Sequence, residues 1–236
     1  MSRFVALVLN DFRVLHRTGY VWATVAVFAL LLFIALQVSR LDFEGFDNVV
    51  AAIILLDVVL TPVLVVGLMI LLELGQGSFA ALAATPLSRV TYAAARTTTV
   101  SIIGSAEMFL LALISYDGSL SIGLLLVALL SIAAIASVSA IIIVSPFNSL
   151  YPFMLPMIAW IFFLSAPAYG VVFGWDSGWL VWHPTAPSMT LLRGAFAPIS
   201  PDALAYGVVG AAVWLLLLGF AALEALRSMQ LRSAGA

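Results

Sequence analysis

The sequence predicts an all-α, polytopic membrane protein, a single transmembrane domain over residues 1–236 with six transmembrane helices. Two features of composition support this fold class: 64% of the 236 residues are hydrophobic and only 8% are charged. A soluble domain of this length carries about 25% charged residues. The third feature is arrangement, since the apolar residues form separate runs close to the ~20 residues that a helix needs to cross a bilayer.

The six apolar runs give the six spans. We place them at about 20–38, 49–72, 97–115, 122–144, 153–173 and 207–223. The count falls to five if the proline-containing run 153–173 is re-entrant, entering and leaving the membrane on one side. Proline removes a helix hydrogen bond, so Pro62, Pro156 and Pro167 predict kinks in the second and fifth spans.

Residues 2–17, which precede the first span, have the pattern of a helix that lies in the membrane interface. One helical face collects the apolar side chains Phe4, Leu7, Val8, Phe12 and Leu15. The other face is largely polar, with Arg3, Arg13 and Arg17. The alternative is a cytoplasmic extension of the first span. The charges in this segment also argue against a cleavable signal peptide.

Orientation follows from the arginines, because positively charged loops stay in the cytoplasm. With six spans, both termini share one side of the membrane. Of the nine basic residues, seven fall on that side, and they are Arg3, Arg13, Arg17, Arg89, Arg96, Arg227 and Arg232. Only Arg40 and Arg193 fall on the other side. The sequence therefore predicts that both termini are cytoplasmic.

The predicted external segment 174–206 is the longest loop, and it contains Trp175, Trp179 and Trp182. Tryptophan favours the boundary between membrane and water. Residues 185–197 within this loop fit a short helix that lies at, or dips into, the outer leaflet. We therefore expect short re-entrant helices before the last span.

Common motifs of catalytic, nucleotide-binding and metal-binding sites are absent from the sequence. It has no cysteine, no Gly-x-x-x-x-Gly-Lys-Ser/Thr phosphate loop and no His-Glu-x-x-His pair. We expect no catalytic residue, no metal site and no cofactor on this chain, and the net charge of −2 gives no reason to expect a nucleic acid partner.

A polar hinge with glycine and proline, residues 73–92, separates the second and third apolar runs. Glu73 and Gly77 mark the end of the second span, because glycine terminates helices and permits a tight reversal. Ser78 is placed to cap a short helix with Phe79 and Leu82 as its apolar anchors. Such a helix, parallel to the membrane on the cytoplasmic side, would offer a binding surface to a soluble partner. The alternative is an ordinary connecting loop.

The predicted short helix ends at Thr85-Pro86, because proline disfavours helical geometry in the residue before it. Ser88 then fits the cap of the third helix, which begins at Arg89.

The hinge resembles the type-2 family of ATP-binding-cassette (ABC) exporter permeases. The shared pattern is an acidic end of the second span, a glycine, a leucine-rich short helix, Thr-Pro-Leu-Ser, an aromatic residue and a basic residue. The matching residues here are Glu73, Gly77, Leu82, Thr85, Pro86, Leu87, Ser88, Tyr92 and Arg96. The family often has a charged pair just after the acidic residue, whereas this chain has Leu74-Gly75-Gln76.

Scattered short matches elsewhere look like the actinobacterial fluoroquinolone-export permease subgroup. They are Leu9-Asn-Asp11-Phe-Arg13, Arg17-Thr-Gly19-Tyr20, Ser145-Pro-Phe-Asn148, His183-Pro-Thr-Ala-Pro187 and Gly194-Ala-Phe196. This resemblance implies a coupling helix at the hinge, contacted by a separate ABC ATPase subunit that binds ATP and Mg. It also implies a second permease subunit, identical or a sister chain, in a bacterial cytoplasmic membrane, and a role in drug efflux and antibiotic resistance.

Two carboxylates, Asp57 and Glu107, fall inside predicted spans, where a charge is costly. Each lies about eight residues from the outer end of its span, roughly 12 Å deep at ~1.5 Å per residue. Antiparallel neighbouring spans would bring them to one depth. They predict an acidic patch on a path for amine-bearing solutes, and the alternatives are protonation, hydrogen bonding to nearby hydroxyls or pairing with an arginine of a partner subunit.

The leading hypothesis is the membrane subunit of an ABC exporter that moves a drug-like or amphipathic solute outward. The first alternative is a proton- or ion-coupled carrier that uses Asp57 and Glu107 and needs no ATPase. The second is a membrane scaffold that transports nothing. Within the ABC family, a haem-exporter-type permease is a further alternative, although nothing in the sequence resembles a haem-ligating site.

Overall fold

The computed structural model describes residues 3–40, 45–79, 87–116, 118–174 and 178–234, and the regular elements within these ranges are helices. They are α1 (Arg3–Arg17), α2 (Tyr20–Ser39), α3 (Phe46–Gly75), α4 (Arg89–Ser115), α5 (Ile122–Val144), α6 (Leu150–Leu164), α7 (Ala166–Phe173), the 3-10 helix Gly178–Trp182, α8 (Ala186–Phe196) and α9 (Pro201–Ala234). The predicted all-α class is confirmed for these residues.

Five helices are long and apolar enough to cross a membrane, namely α2, α3, α4, α5 and α9. The pair α6 and α7 passes the same test together but is bent by 46° at its break. The number of candidate spans is therefore five, or six if the bent pair is a single span. The choice between these two counts stays a prediction.

The break between α6 and α7 lies at Ser165, just before Pro167. Pro167 has no backbone N–H to continue the hydrogen-bond ladder of α6, but proline is tolerated in the first turn of a helix, so a new helix begins at Ala166. Pro62 and Pro156, in contrast, lie inside the continuous helices α3 and α6. Of these three prolines, only Pro167 stands at a break.

Helices α3 and α5 form the centre of the helix bundle. Of their most apolar windows, 72% and 67% of residues respectively are buried. In α2 and α9 the corresponding share is only 11%. An apolar surface of this extent needs lipid or another apolar surface to cover it.

The amphipathic segment at the N-terminus forms α1, which packs on α4 and α2 and buries Asp11 and Leu15. The helical prediction for this segment is confirmed from Arg3 onward. Its place in the membrane interface stays a prediction.

Helices α8 and α9 approach each other closely at two glycines. A Cβ atom on Gly207 would lie 2.5 Å from Leu191, and one on Gly210 would lie 2.6 Å from the ring of Pro187. These small residues let α8 pack directly on the backbone of α9. The contact between α8 and α9 positions α8 at the end of the helix bundle where α4 ends.

Candidate functional site

The hinge between α3 and α4 adjoins a buried ion-pair network centred on Arg96. Arg96 lies on the second turn of α4 and is only 3% exposed. Its Nη1 atom donates to Asp11 Oδ1 of α1 at 2.6 Å. Its Nη2 atom pairs with Glu73 Oε1 of α3. One guanidinium thus joins three helices.

Tyr92 completes the network one turn before Arg96, on the same face of α4. Its hydroxyl donates to Glu73 Oε2 at 2.6 Å. The Arg96 guanidinium carbon also lies 5.2 Å from the centre of the Tyr92 ring, within the range of a cation–π contact. Glu73 therefore has a charged partner on one oxygen and a hydroxyl on the other, which is how a partly buried carboxylate is stabilised.

Asp11 is the least satisfied member of the network. It is 1% exposed, and its Oδ2 atom has no hydrogen-bond partner among the described residues. Thr99 lies beside it, but the Thr99 hydroxyl donates to the carbonyl of Ala95 at 2.9 Å. Burial raises the pKa of Asp11, and the charge of Arg96 opposes that shift.

The glycine turn at the start of the hinge is as the sequence predicts, whereas the capping of a short helix by Ser78 stays a prediction, because the segment it would cap includes residues 80–86, outside the described residues. Gly77 has a positive φ of 69°, the left-handed conformation that glycine adopts without strain. The Ser78 hydroxyl donates to the carbonyl of Glu73 at 3.2 Å, which satisfies an acceptor at the end of α3. Ser88 caps α4 by accepting from the amide of Thr91 at 3.0 Å, so its predicted capping role is confirmed.

Phe79 anchors the start of the hinge. It is 4% exposed, and its ring meets Tyr92 edge to face at 6.0 Å. Leu226 and Gln230 near the end of α9 lie against the same place. Leu82, Thr85 and Pro86, the other predicted coupling residues of the hinge, lie outside the described residues. Gln76 and Gly77 are exposed at the turn. The turn is therefore accessible from outside the chain, while Phe79 packs against α4 and α9.

The two predicted carboxylates of the spans, Asp57 and Glu107, are brought together by α3 and α4. They are close enough for their charges to interact, and Asp57 is 6% exposed. Thr24 of α2 lies beside Glu107, and Tyr20 adjoins both carboxylates. One oxygen of Asp57 has no hydrogen-bond partner among the described residues. The cluster is rich in acceptors, so a proton or a cation would relieve the repulsion between its carboxylates.

His183 follows the bent pair α6–α7 and lies at the end of the helix bundle opposite the Arg96 network. Its Nδ1 atom accepts from the amide of Thr185 at 3.3 Å, and its ring packs on Phe163 with the centroids 4.7 Å apart. Burial lowers the pKa of His183 to about 4, so the ring is neutral at pH 7. The Thr185 hydroxyl donates to the carbonyl of Leu164 at 2.6 Å. These contacts fix the start of α8 to the end of α6.

The sequence analysis missed the pairing within the Arg96 network, although it named all four of its members. Arg96 entered only the count of cytoplasmic charges and the resemblance. Its position eight residues into an apolar helix was the available signal, because an arginine there needs a buried partner. The identity of that partner, Asp11 at a separation of 85 residues, could not be read from local spacing.

A scan against models of known protein families finds no match to this chain, and a search of curated proteins finds none either.

Proposed function

We propose that this chain is the membrane-spanning permease subunit of an ABC exporter, with ATP hydrolysed by a separate subunit that contacts the hinge at residues 75–88. The observation that supports the proposal is the buried network of Arg96, Asp11, Glu73 and Tyr92. It lies directly beside the hinge and connects α1, α3 and α4.

The network gives the hinge a mechanical connection to the helices. Glu73 and Tyr92 are the first and last residues of the hinge, so their hydrogen bond closes the base of the segment. Arg96 then links this base to Asp11 of α1. Hydrogen bonds and ion pairs shielded from water resist separation. A push on the hinge would therefore displace three helices together, which is what an energy-coupling contact requires.

The remaining features of the proposal follow from a two-subunit exporter. A second permease subunit, identical or a sister chain, would cover part of the apolar surface of α2 and α9. The hinge and both termini would lie on the cytoplasmic side of a bacterial membrane. Asp57 and Glu107 would line the path of an amine-bearing, drug-like solute.

The exposed turn of the hinge offers a direct test. The experiment reconstitutes this chain in lipid vesicles with its ABC ATPase subunit and measures solute-stimulated ATP hydrolysis. Gln76→Arg places a bulky charge on the exposed turn without touching the buried network. We expect it to abolish most of the stimulation, because charge and bulk at a docking surface disrupt the contact.

The matched control is Asn148→Arg, because Asn148 is also exposed and lies in the α5–α6 loop at the same end of the helix bundle. It should leave the stimulation within about twofold of wild type, well under the ~1.4 kcal/mol that a tenfold change represents. Equal activity of the two variants would contradict the assignment of the hinge as the coupling contact.

A second candidate function, an ion-coupled carrier, is favoured by the proximity of Asp57 and Glu107. Neighbouring carboxylates that exchange a proton or a cation are typical of carriers driven by an ion gradient. Such a carrier would need no ATPase and no contact at the hinge. The source of energy for transport therefore separates the two candidates.

A further inference from the structure

A cavity of about 410 Å³ opens at the end of the helix bundle opposite the Arg96 network. Four elements enclose it: α7, the 3-10 helix, α8 and α9. Its walls are mainly apolar, with Val171, Leu180 and Met189 among them. Ligand sites are typically apolar clefts of about 300–1,000 Å³ with a few polar groups that fix orientation.

Arg193 is the one charged side chain in the described lining of this cavity. It is exposed and makes no ion pair with any residue that the structure describes. Asp47 and Arg193 both line an adjoining cavity of about 340 Å³. Arg193 therefore stands between the two cavities, and no described residue accepts a hydrogen bond from its guanidinium, so its donors are available to a ligand. A guanidinium in this state favours a planar or tetrahedral oxyanion.

The other polar groups of the cavity are used to fix its walls. Tyr206 donates its hydroxyl to the carbonyl of Val181 at 2.6 Å, which ties α9 to the 3-10 helix. Thr190 donates to the carbonyl of Ala186 at 3.1 Å. The close packing of α8 on Gly207 and Gly210 holds the third wall. The cavity is thus preformed, with Arg193 as its charged donor.

The rim of the cavity adds apolar surface next to this charge. Val181 is 54% exposed, and Trp182 beside it is 79% exposed. Exposed tryptophan and aliphatic side chains around an arginine suit a molecule with an apolar chain and an anionic head.

We propose that this cavity binds the anionic head, a phosphate, of an amphipathic molecule, with Arg193 on the oxyanion and the apolar walls around the adjoining chain. The same chemistry occurs in a membrane phospholipid and in a soluble alkyl phosphate. The site is independent of the proposed ATPase contact, since it lies at the other end of the helix bundle.

The test titrates the purified full chain in a non-ionic detergent with dodecyl phosphate and counts bound molecules by native mass spectrometry. Replacing a hydrogen-bonded arginine removes a charge-assisted contact, so Arg193→Gln should weaken binding by about tenfold. The matched control is Arg40→Gln, because Arg40 is an exposed arginine that lines neither cavity. It should bind within about twofold of wild type. Unchanged binding by Arg193→Gln, or an equal loss in both variants, would overturn the proposal.

A second pair of variants keeps the proposal testable if Arg193→Gln folds poorly. Val181→Asp places a negative charge at the exposed rim, and Val181→Asn places a neutral side chain of the same size there. We expect only the aspartate to repel dodecyl phosphate. Equal binding by the two would count against an anion at this place.

Competition identifies the source of the anion. If phosphatidylglycerol displaces dodecyl phosphate from the wild-type chain and fails to bind Arg193→Gln, the site takes a membrane lipid. If phosphatidylglycerol does not compete while dodecyl phosphate still requires Arg193, the site takes a soluble amphiphile. Either result supports the site, and binding of both probes without Arg193 refutes it.

Discussion

Removing a guanidinium from water costs several kcal/mol, and the partners of Arg96 must offset that cost. Two carboxylates do so, one from α1 and one from α3. If Arg96 is replaced, Asp11 and Glu73 remain close together without their shared cation. The network is therefore sensitive to the loss of this single side chain, even though a buried ion pair adds little net stability by itself.

We expect Arg96→Gln to destabilise the folded chain by about 3–5 kcal/mol, because breaking a buried pair leaves uncompensated charge behind. Chemical unfolding in detergent, followed by circular dichroism, would measure the change. Arg227→Gln is the matched control, since Arg227 forms an exposed pair with Glu224 one turn away on α9. Its effect should stay below about 0.5 kcal/mol. Equal losses in the two variants would show that burial of the network is not decisive.

At the scale of single residues, the sequence predicted the local roles better than the pairings. Ser88 was identified as a cap because serine before a helix has a local hydrogen-bonding partner. Glu73 was identified as the end of a span, but its partners were open because Leu74-Gly75-Gln76 lack a charge. Its pairing with Arg96 depends on how α3 and α4 pack, and local spacing carries no information on that packing.

At the scale of elements, hydrophobic runs predicted where helices exist; the run 122–144 coincides with α5, but other runs underestimated the length of their helices. The second run was placed at about 49–72, whereas α3 extends over Phe46–Gly75. Hydropathy marks only the apolar part of a helix, and the polar turns at each end continue the same hydrogen-bond ladder. The break at Ser165 lies two residues before Pro167, one of the three prolines at which kinks are predicted, whereas Pro62 and Pro156 lie inside continuous helices.

The contact of α8 with α9 gives a prediction at this scale. Gly210→Ala should destabilise the fold by about 1–3 kcal/mol, because the added Cβ would overlap the ring of Pro187 and a packed core resists extra volume. The thermal unfolding midpoint in detergent would report the change. Gly219→Ala on the same helix is the control, because its Cβ would meet no atom within 4 Å. If Gly210→Ala and Gly219→Ala unfold alike, close packing at Gly210 is not important.

At the scale of the whole molecule, composition was sufficient for the all-helical, membrane-type fold. A chain that is 64% hydrophobic can keep α2 and α9 largely uncovered only if their surroundings are apolar. Composition does not encode which surface of each helix meets lipid and which would meet another protein surface, because both environments are apolar.

The two ends of the molecule carry different chemistry. The end with the hinge is held together by the buried charges of the Arg96 network. The other end has a neutral His183 and a cavity with the charge of Arg193. The proposed ATPase contact and the proposed anion site are thus separated by the length of α4.

Transport in vesicles tests the central claim most directly, since the claim concerns the source of energy. Vesicles containing this chain and its ABC ATPase subunit are given a fluoroquinolone, whose own fluorescence reports its accumulation, while ionophores collapse the ion gradients. We expect accumulation to require ATP and the ATPase subunit and to persist without gradients. Accumulation that an ion gradient drives without the ATPase, and that Asp57→Asn abolishes, would contradict the account.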